Sequence, residues 1–260
     1  MAAWAWMGRF RARRDNPRPH PDAMTLGEHL AELRRRLIIS ICAIAVGAVV
    51  TYVLYGQILT LLQSPYCQAV KYTSNAGQCD FYVTQPLQGF ALRLNVSAYG
   101  GILIALPVLF FQLWRFVTPG LKANEKRYAL PFTFATAGLF ALGAFVAYLT
   151  FPHAMRFLLD VSGPHIKDIL SPNSYVQLIL LLMVAFGATF EFPVLLVALE
   201  LAGVLTPAKL SKVRRWAIIG MVAFAAIVTP SSDPFSMLAL AIPLLLFYEA
   251  SIIIGRMLGK

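Results

Sequence analysis

The chain has 260 residues, of which 58% are hydrophobic and 13% are charged. A water-soluble domain of this size needs a larger charged fraction on its surface, so the composition favours a protein whose apolar surface faces lipid. The formal net charge of +10 raises the question of nucleic acid as a partner. Because the basic residues lie in short stretches between long apolar runs, as in membrane-protein loops, we expect no nucleic-acid binding.

The apolar runs predict an all-α integral membrane protein with six transmembrane helices. The predicted spans cover about residues 37–55, 94–117, 128–151, 175–201, 216–228 and 235–254. The fifth span is short, ~20 Å at 1.5 Å per residue against a hydrocarbon core of ~30 Å, and Glu249 shortens the sixth. A re-entrant hairpin is the alternative for these two segments, and it leaves the C-terminus on the same side.

The basic residues predict the orientation. Lys71, Arg93, Arg156 and Lys167 fall on one side of the predicted membrane, and the other 18 of the 22 Lys and Arg fall on the opposite side. By the positive-inside rule both termini are cytoplasmic. Residues 1–23 hold five Arg and three Pro, so we expect a disordered basic cytoplasmic arm near anionic lipid, followed by a membrane domain over residues 24–260. The arm lacks the apolar run of a cleavable signal peptide.

Two of the three cysteines, Cys67 and Cys79, fall in the first predicted extracytoplasmic loop. That side of a bacterial membrane is oxidising, and a disulfide closing this short loop stabilises it by ~3 kcal/mol. Two free thiols are the alternative. Cys42 lies inside the first span, where we expect only packing.

The segment before the first span, residues 24–37, reads MTLGEHLAELRRRL. Its leucines recur with helical spacing at Leu26, Leu30, Leu33 and Leu37. They form one apolar stripe, which predicts a helix along the cytoplasmic interface that then turns into the membrane. On its polar side, Glu32 has two interpretations: an ordinary surface pair with Arg36 one turn later, or part of a binding site.

Five separate motifs resemble the TatC family, and they occur in the family's order. They are HLAELRRRL at 29–37, SPY at 64–66, FQLWRFVTPGLKANEKR at 111–127, FGATFEFP at 186–193 and VTPSSDPFSMLALAIP at 228–243. The resemblance implies a concave bundle of six helices in the bacterial plasma membrane. It also implies the receptor and core subunit of the twin-arginine translocase, which exports folded proteins using the proton gradient.

The resemblance further implies which residues recognise a signal peptide with two adjacent arginines. The two carboxylates are Glu32 and Glu125, and Arg34, Phe116 and Gln112 have supporting roles at the same face. A planar guanidinium pairs bidentately with a carboxylate, and lysine does not reproduce that geometry. The alternative for Glu125 is a local pair with its basic neighbours. The implied partners are TatA- and TatB-type single-span subunits, further copies of the chain, and membrane lipid.

Glu191 lies well inside the fourth predicted span. An ionised carboxylate facing lipid costs several kcal/mol, so we expect it to face the bundle or a polar cavity. A structural contact between helices is the alternative, and the family's intramembrane glutamate favours a role where cargo crosses. Asp233 matches a family acid in the turn before the sixth span, but ordinary turn chemistry explains it equally well. Pro65 matches the family's proline in the first external loop, and we expect a structural role.

Enzyme motifs are missing from the sequence. It has no GxxxxGK[ST] phosphate loop, no HExxH metal motif and no GxSxG nucleophile elbow, so we predict neither catalysis nor a metal or other cofactor. The alternative function is a secondary transporter for a small solute, which would also use an intramembrane glutamate. The absence of an inverted repeat, and the acids grouped at the cytoplasmic face, count against it.

Overall fold

A computed structural model describes residues 26–70, 81–83, 85–117, 129–161, 171–201, 203–229 and 233–257. Within these ranges the chain forms α-helices and no strand, which confirms the all-α class. The helices are α1 (Leu26–Val53), α2 (Tyr55–Val70), α3 (Gln88–Val117), α4 (Ala129–Val161), α5 (Pro172–Phe190), α6 (Phe192–Leu201), α7 (Pro207–Val228) and α8 (Pro234–Met257). The arm at residues 1–23 lies outside the described residues.

Five helical stretches in the described ranges are long and apolar enough to cross a membrane. They are Leu30–Val53, Gln88–Phe116, Thr133–Val161, Pro172–Leu201 and Pro234–Met257. The chain is therefore a multi-pass membrane protein. The fifth predicted span lies in α7, which does not qualify because Lys209, Lys212, Arg214 and Arg215 occupy its first half. The count of six crossings stays a prediction.

Three sequence-based expectations differ from the structure. The sixth span is not short, since α8 continues through Glu249 to Met257 and its 24 residues reach ~36 Å. Within α8 the Glu249 carboxylate accepts a hydrogen bond from Arg214 at 2.7 Å. The amphipathic segment and the first span form one continuous helix, α1, without the predicted turn near Leu37. The expected loop after the first span begins with a helix, α2.

Long-range contacts show that α1, α3, α4 and α5 alternate in direction. The Arg36 side chain of α1 reaches Gln112 near the end of α3, whereas Thr51, late in α1, bonds the Ser97 carbonyl early in α3. Phe151, late in α4, meets Tyr175 at the start of α5, and Asn95, early in α3, donates to Asn173 in the same turn of α5 at 2.8 Å. We call the two ends of the bundle the Glu32 end and the Tyr175 end.

The described basic residues separate between these two ends. The Glu32 end carries Arg34, Arg35, Arg36, Arg115, Lys209, Lys212, Arg214, Arg215 and Arg256, whereas Arg93 and Arg156 lie toward the Tyr175 end. This is the asymmetry on which the predicted orientation depends.

The pairing of α1 with α3 depends on two glycines. A Cβ atom built on Gly101 would lie 2.6 Å from the Ala48 nitrogen, and one on Gly47 would lie 2.6 Å from the Gly101 carbonyl oxygen. One turn away, the buried Thr51 hydroxyl donates to the Ser97 carbonyl at 2.9 Å. Small residues at such a crossing let two helices pack backbone to backbone inside a membrane.

Pro65 explains how α2 attaches to the bundle. Proline has no N–H, so Pro65 leaves the carbonyl of Leu61 without its donor in the helix. The Tyr148 hydroxyl of α4 donates to that carbonyl at 2.9 Å, and the Tyr175 hydroxyl of α5 donates to the neighbouring Leu62 carbonyl at 2.6 Å. Pro65 is buried within α2. Its structural role therefore follows from the two tyrosine contacts beside it.

Glu200 of α6 is buried against α8. Its side chain is 0% exposed, and neither carboxyl oxygen has a hydrogen-bond partner among the described residues. The carboxylate lies directly against Gly255, where an added Cβ would collide with Oε2. The missing side chain at Gly255 therefore makes the room that Glu200 occupies.

This packing gives a prediction about stability. We expect Gly255→Ala to destabilise the protein by ~1–3 kcal/mol, because the new methyl group overpacks against the Glu200 carboxylate. The double variant Gly255→Ala with Glu200→Ala should be more stable than Gly255→Ala alone, since the collision is then removed. Thermal unfolding of the detergent-solubilised protein measures both effects.

Gly220→Ala in α7 is the matched control, because an added Cβ there meets no atom within 4 Å. Its stability should be unchanged or higher by up to ~1 kcal/mol, as alanine favours a helix over glycine. Equal stability of the Gly255→Ala and Gly220→Ala proteins would contradict the packing described.

Candidate functional site

The Glu32 end brings one predicted carboxylate into a network between α1 and α3. The guanidinium of Arg36 pairs with Oε1 of Glu32 through Nη2, and its Nε donates to the same oxygen at 3.2 Å. Nη1 of Arg36 lies 3.4 Å from both the backbone and side-chain oxygens of Gln112. The local Glu32–Arg36 pair considered from the spacing is therefore present, and it is extended across 76 residues of sequence to α3.

Burial makes this network stronger than an exposed helix pair. The Arg36 and Glu32 side chains are only 12% and 24% exposed. Charges so shielded interact more strongly than they do in water. The end of α3 also favours a cation, because unpaired carbonyls give a helix C-terminus partial negative charge. Glu32 is thus held in a fixed place by a guanidinium, which is the chemical group of an arginine side chain.

The other predicted recognition residues are distributed around this network. Gln112 takes part in it directly. Phe116 lies one turn further along α3 and is half-buried, and Arg34 on α1 is exposed. Glu125 lies outside the described residues, in the segment between α3 and α4. Both helices adjoin that segment at the Glu32 end, with α3 ending at Val117 and α4 beginning at Ala129.

Glu191 occupies a break between α5 and α6 inside the fourth membrane span. Pro193 has no N–H to offer the Thr189 carbonyl, and the backbone N–H of Glu191 bonds the Ala188 carbonyl at 3.2 Å, so the regular helix is interrupted. The Glu191 side chain is half-buried. Its Oε1 atom is buried without a hydrogen-bond partner among the described residues. An intramembrane carboxyl oxygen in this state can accept a hydrogen bond from water or from another chain.

Asp233 acts as the N-cap of α8. Its Oδ1 accepts the backbone N–H of Ser236 at 2.7 Å, and Pro234 occupies the first helical position. Asp233 is fully buried. This geometry is the turn chemistry that the sequence allowed.

Cys67 is disulfide-bonded, whereas Cys42 is a free, exposed thiol. Cys79, the remaining cysteine of the chain, lies outside the described residues. The pairing of Cys67 with Cys79 therefore stays a prediction.

Sequence reasoning missed several contacts of the site. The bond from Arg36 to Gln112 carried no sequence signal, because the two residues lie on different spans. The bond from the Tyr148 hydroxyl to the Leu61 carbonyl did carry a sequence signal. Pro65 has no N–H, so it leaves the carbonyl of Leu61, four residues earlier, without a helix donor. Among the described residues, no group of three or more His, Cys, Asp or Glu side chains could hold a metal ion.

Comparison with known proteins gives a consistent result. Residues 28–243 match the family model of the Sec-independent protein translocase protein (TatC). The TatC protein of Magnetococcus marinus is 40% identical over 232 residues, covering 89% of this chain and 83% of the relative. The TatC protein of Aquifex aeolicus is 35% identical over 237 residues, covering 90% and 95%. The 40% identical TatC protein of Frankia casuarinae is longer, and 65% of its length is covered.

A solved structure shows the same fold. The crystal structure described as the twin-arginine translocase receptor TatC is 35% identical to this chain and superposes with a TM-score of 0.70. The match covers 90% of this chain and 100% of the solved one. From the family model, the curated relatives and the shared fold, we conclude that the chain belongs to the TatC family of Sec-independent protein translocase proteins.

Proposed function

We propose that this protein is the receptor and core subunit of a twin-arginine translocase, and that it binds signal peptides at the Glu32 end. One observation supports this proposal most: the partly buried Glu32 carboxylate already holds a guanidinium, that of Arg36, at the junction of α1 and α3. A site that binds its own arginine has the geometry and charge to bind an incoming one.

Recognition then becomes an exchange of guanidinium groups. One arginine of the signal peptide replaces or joins Arg36 at Glu32, and the second pairs with Glu125 in the adjacent segment. Arg36 keeps the oxygens of Gln112 within reach, so its charge stays partly compensated during the exchange. Lysine at either peptide position binds more weakly, because an ammonium group cannot form the planar two-bond contact. Phe116 and Arg34 shape the surroundings of this pair.

The apolar part of the signal peptide has a complementary surface in the bundle. A cavity of about 440 Å³ opens between α3 and α4, bordered also by α2 and α5. Its lining is almost wholly apolar and includes Leu103, Pro107, Phe140 and Phe145. An apolar helix that enters the membrane beside these residues exchanges lipid contacts for protein contacts.

The remaining features of the proposal follow the family. The protein lies in the bacterial plasma membrane and crosses it six times with both termini cytoplasmic. It assembles with TatA- and TatB-type subunits and with further copies of itself, and the proton gradient drives export of folded cargo without a cofactor. The family membership favours this function over a solute transporter.

The orientation can be tested by placing a single cysteine at each terminus and adding a membrane-impermeant thiol reagent to intact cells. Cytoplasmic termini should stay unlabelled.

The recognition step can be tested with charge-removing variants. Glu32→Gln and Glu125→Gln should each lower capture of a twin-arginine signal peptide by about tenfold or more, the worth of one charge-assisted hydrogen bond. Capture of a twin-lysine peptide, weak already, should change less. Site-specific cross-linking of labelled peptides in membranes measures both quantities.

Glu249→Gln is the matched control for this experiment. Glu249 lies at the same end of the bundle, but its carboxylate is exposed and pairs with Arg214. Its replacement should leave peptide capture unchanged. If a protein carrying both Glu32→Gln and Glu125→Gln captures the twin-arginine peptide normally, the proposed site is wrong.

The intramembrane carboxyl group gives a second test. We propose that Glu191 supplies a polar position where cargo crosses, so Glu191→Gln should lower export and Glu191→Ala should lower it further, because alanine leaves no polar group at the helix break. Export of a folded reporter protein measures the effect. Gln177→Ala, at an exposed polar position of α5, should export normally. Wild-type export by both Glu191 variants would remove this residue from the mechanism.

A further inference from the structure

Arg93 lies near the start of α3, toward the end of the bundle opposite the recognition network. Its guanidinium carbon is 4.0 Å from the ring centre of Tyr52 on α1 and 5.4 Å from that of Tyr55 on α2. Its Nη2 donates to the Tyr52 carbonyl at 3.3 Å. Its Nε is buried and has no hydrogen-bond partner among the described residues. The guanidinium is thus fixed against an aromatic ring while part of its donor capacity is unused.

An apolar groove between α1 and α3 begins directly beside this guanidinium. The groove encloses about 410 Å³ and is lined by Ala48, Val49, Tyr52, Leu94, Ser97 and Ala98. Tyr52 belongs to both features, since its ring carries Arg93 and also forms one wall of the groove. Apart from Tyr52, Ser97 is the one polar residue in this lining. Its hydroxyl already donates a hydrogen bond to the Arg93 carbonyl at 2.7 Å.

The position of these groups matches the boundary of a membrane. Tyr52 lies at the last turn of the first membrane-spanning stretch, Leu30–Val53. Tyrosine is enriched where the hydrocarbon meets the headgroups, and arginine reaches from a span toward that level. From Tyr52 to Ala48 the groove extends ~6 Å along α1 into the hydrocarbon region.

We propose that this feature, which we call the Arg93 groove, binds one anionic phospholipid. The phosphate lies against the guanidinium of Arg93, and an acyl chain fills the groove between α1 and α3. Charge complementarity selects this occupant over a signal peptide, because the basic region of such a peptide lies at the Glu32 end and brings no anionic group to Arg93. The proposal depends on the membrane-spanning fold and not on signal-peptide recognition.

The lipid would also stabilise the pairing of α1 with α3. In the described residues α1 packs mainly against α3, and many of its apolar side chains are exposed. A lipid held at Arg93 covers part of α1 and contacts both helices at once. Because a ligand that binds only the folded state stabilises it, bound lipid should raise the thermal stability of the protein.

The proposal can be tested by lipid titration of the purified, detergent-solubilised full chain. Phosphatidylglycerol and phosphatidylcholine are added separately, and lipid retention is measured by native mass spectrometry together with thermal stability. We expect one phosphatidylglycerol per chain, bound about tenfold more tightly than phosphatidylcholine, which has no net charge. Equal retention of the two lipids would show ordinary annular lipid and overturn the proposal.

Two pairs of variants test separately the Arg93 guanidinium and the apolar groove beside it. Arg93→Gln should lower phosphatidylglycerol affinity about tenfold, to the phosphatidylcholine value. Arg156→Gln should not, although Arg156 also lies toward the Tyr175 end and likewise donates to a carbonyl, that of Gln68, at 3.3 Å. Ala98→Phe fills the groove and should weaken binding of both lipids, whereas Ala226→Phe at an exposed position of α7 should not.

A conservative variant and a competition experiment complete the test. Arg93→Lys retains the charge without the planar fork, so it should bind phosphatidylglycerol with intermediate affinity, and it replaces Arg93→Gln if that protein does not fold. Glycerol phosphate, which has the anionic group without acyl chains, should not compete at concentrations equal to those of the lipid. Unchanged affinity in Arg93→Gln, or competition by glycerol phosphate on equal terms, would refute the lipid site.

Discussion

The close crossing of α1 over α3 is the constraint on which the other features depend. Gly47 and Gly101 remove the side chains that would keep the two backbones apart, and Thr51 adds a hydrogen bond beside them. This crossing places Arg36 beside Gln112 at one end and Tyr52 beneath Arg93 at the other. Inside a membrane, where lipid is as apolar as leucine, such close packing supplies much of the attraction between helices. The network of Glu32, Arg36 and Gln112 and the Arg93 groove therefore lie at opposite ends of one helix pair.

The carbonyls that prolines leave without a helix donor explain two further features of the architecture. A carbonyl that loses its helix donor to proline needs another hydrogen-bond partner, or the helix is interrupted. Tyr148 provides it at Pro65 and thereby attaches α2 to α4. At Pro193 the helix instead breaks, and Glu191 occupies the break. Loss of a helix hydrogen bond at proline therefore produces a structural contact at Pro65 and a helix break with a candidate functional carboxyl group at Pro193.

Particular residues show which features could be predicted from the sequence and which could not. The apolar runs predicted the α-helical membrane fold, and the motifs from residue 29 to residue 243 identified the family. The predicted bounds of the sixth span, residues 235–254, lie within α8, but the expectation that this span is short was wrong, because α8 continues through Glu249 to Met257. The burial of Glu200 carried no sequence signal. Nothing near it in the sequence shows that Gly255 makes room for its carboxylate, since the two residues lie on different helices.

The sequence by itself determined the membrane setting, the separation of basic residues between the two sides, the family and the prolines that interrupt helices, because each is a local property of composition, periodicity or motif. Only the tertiary structure decided which groups meet: Glu32 with Arg36 and the distant Gln112, Arg93 with Tyr52, and Glu200 with Gly255. Except for Glu32 with Arg36, these contacts join different helices. They depend on which faces pack and at what height, and a single sequence encodes that information only through the whole fold.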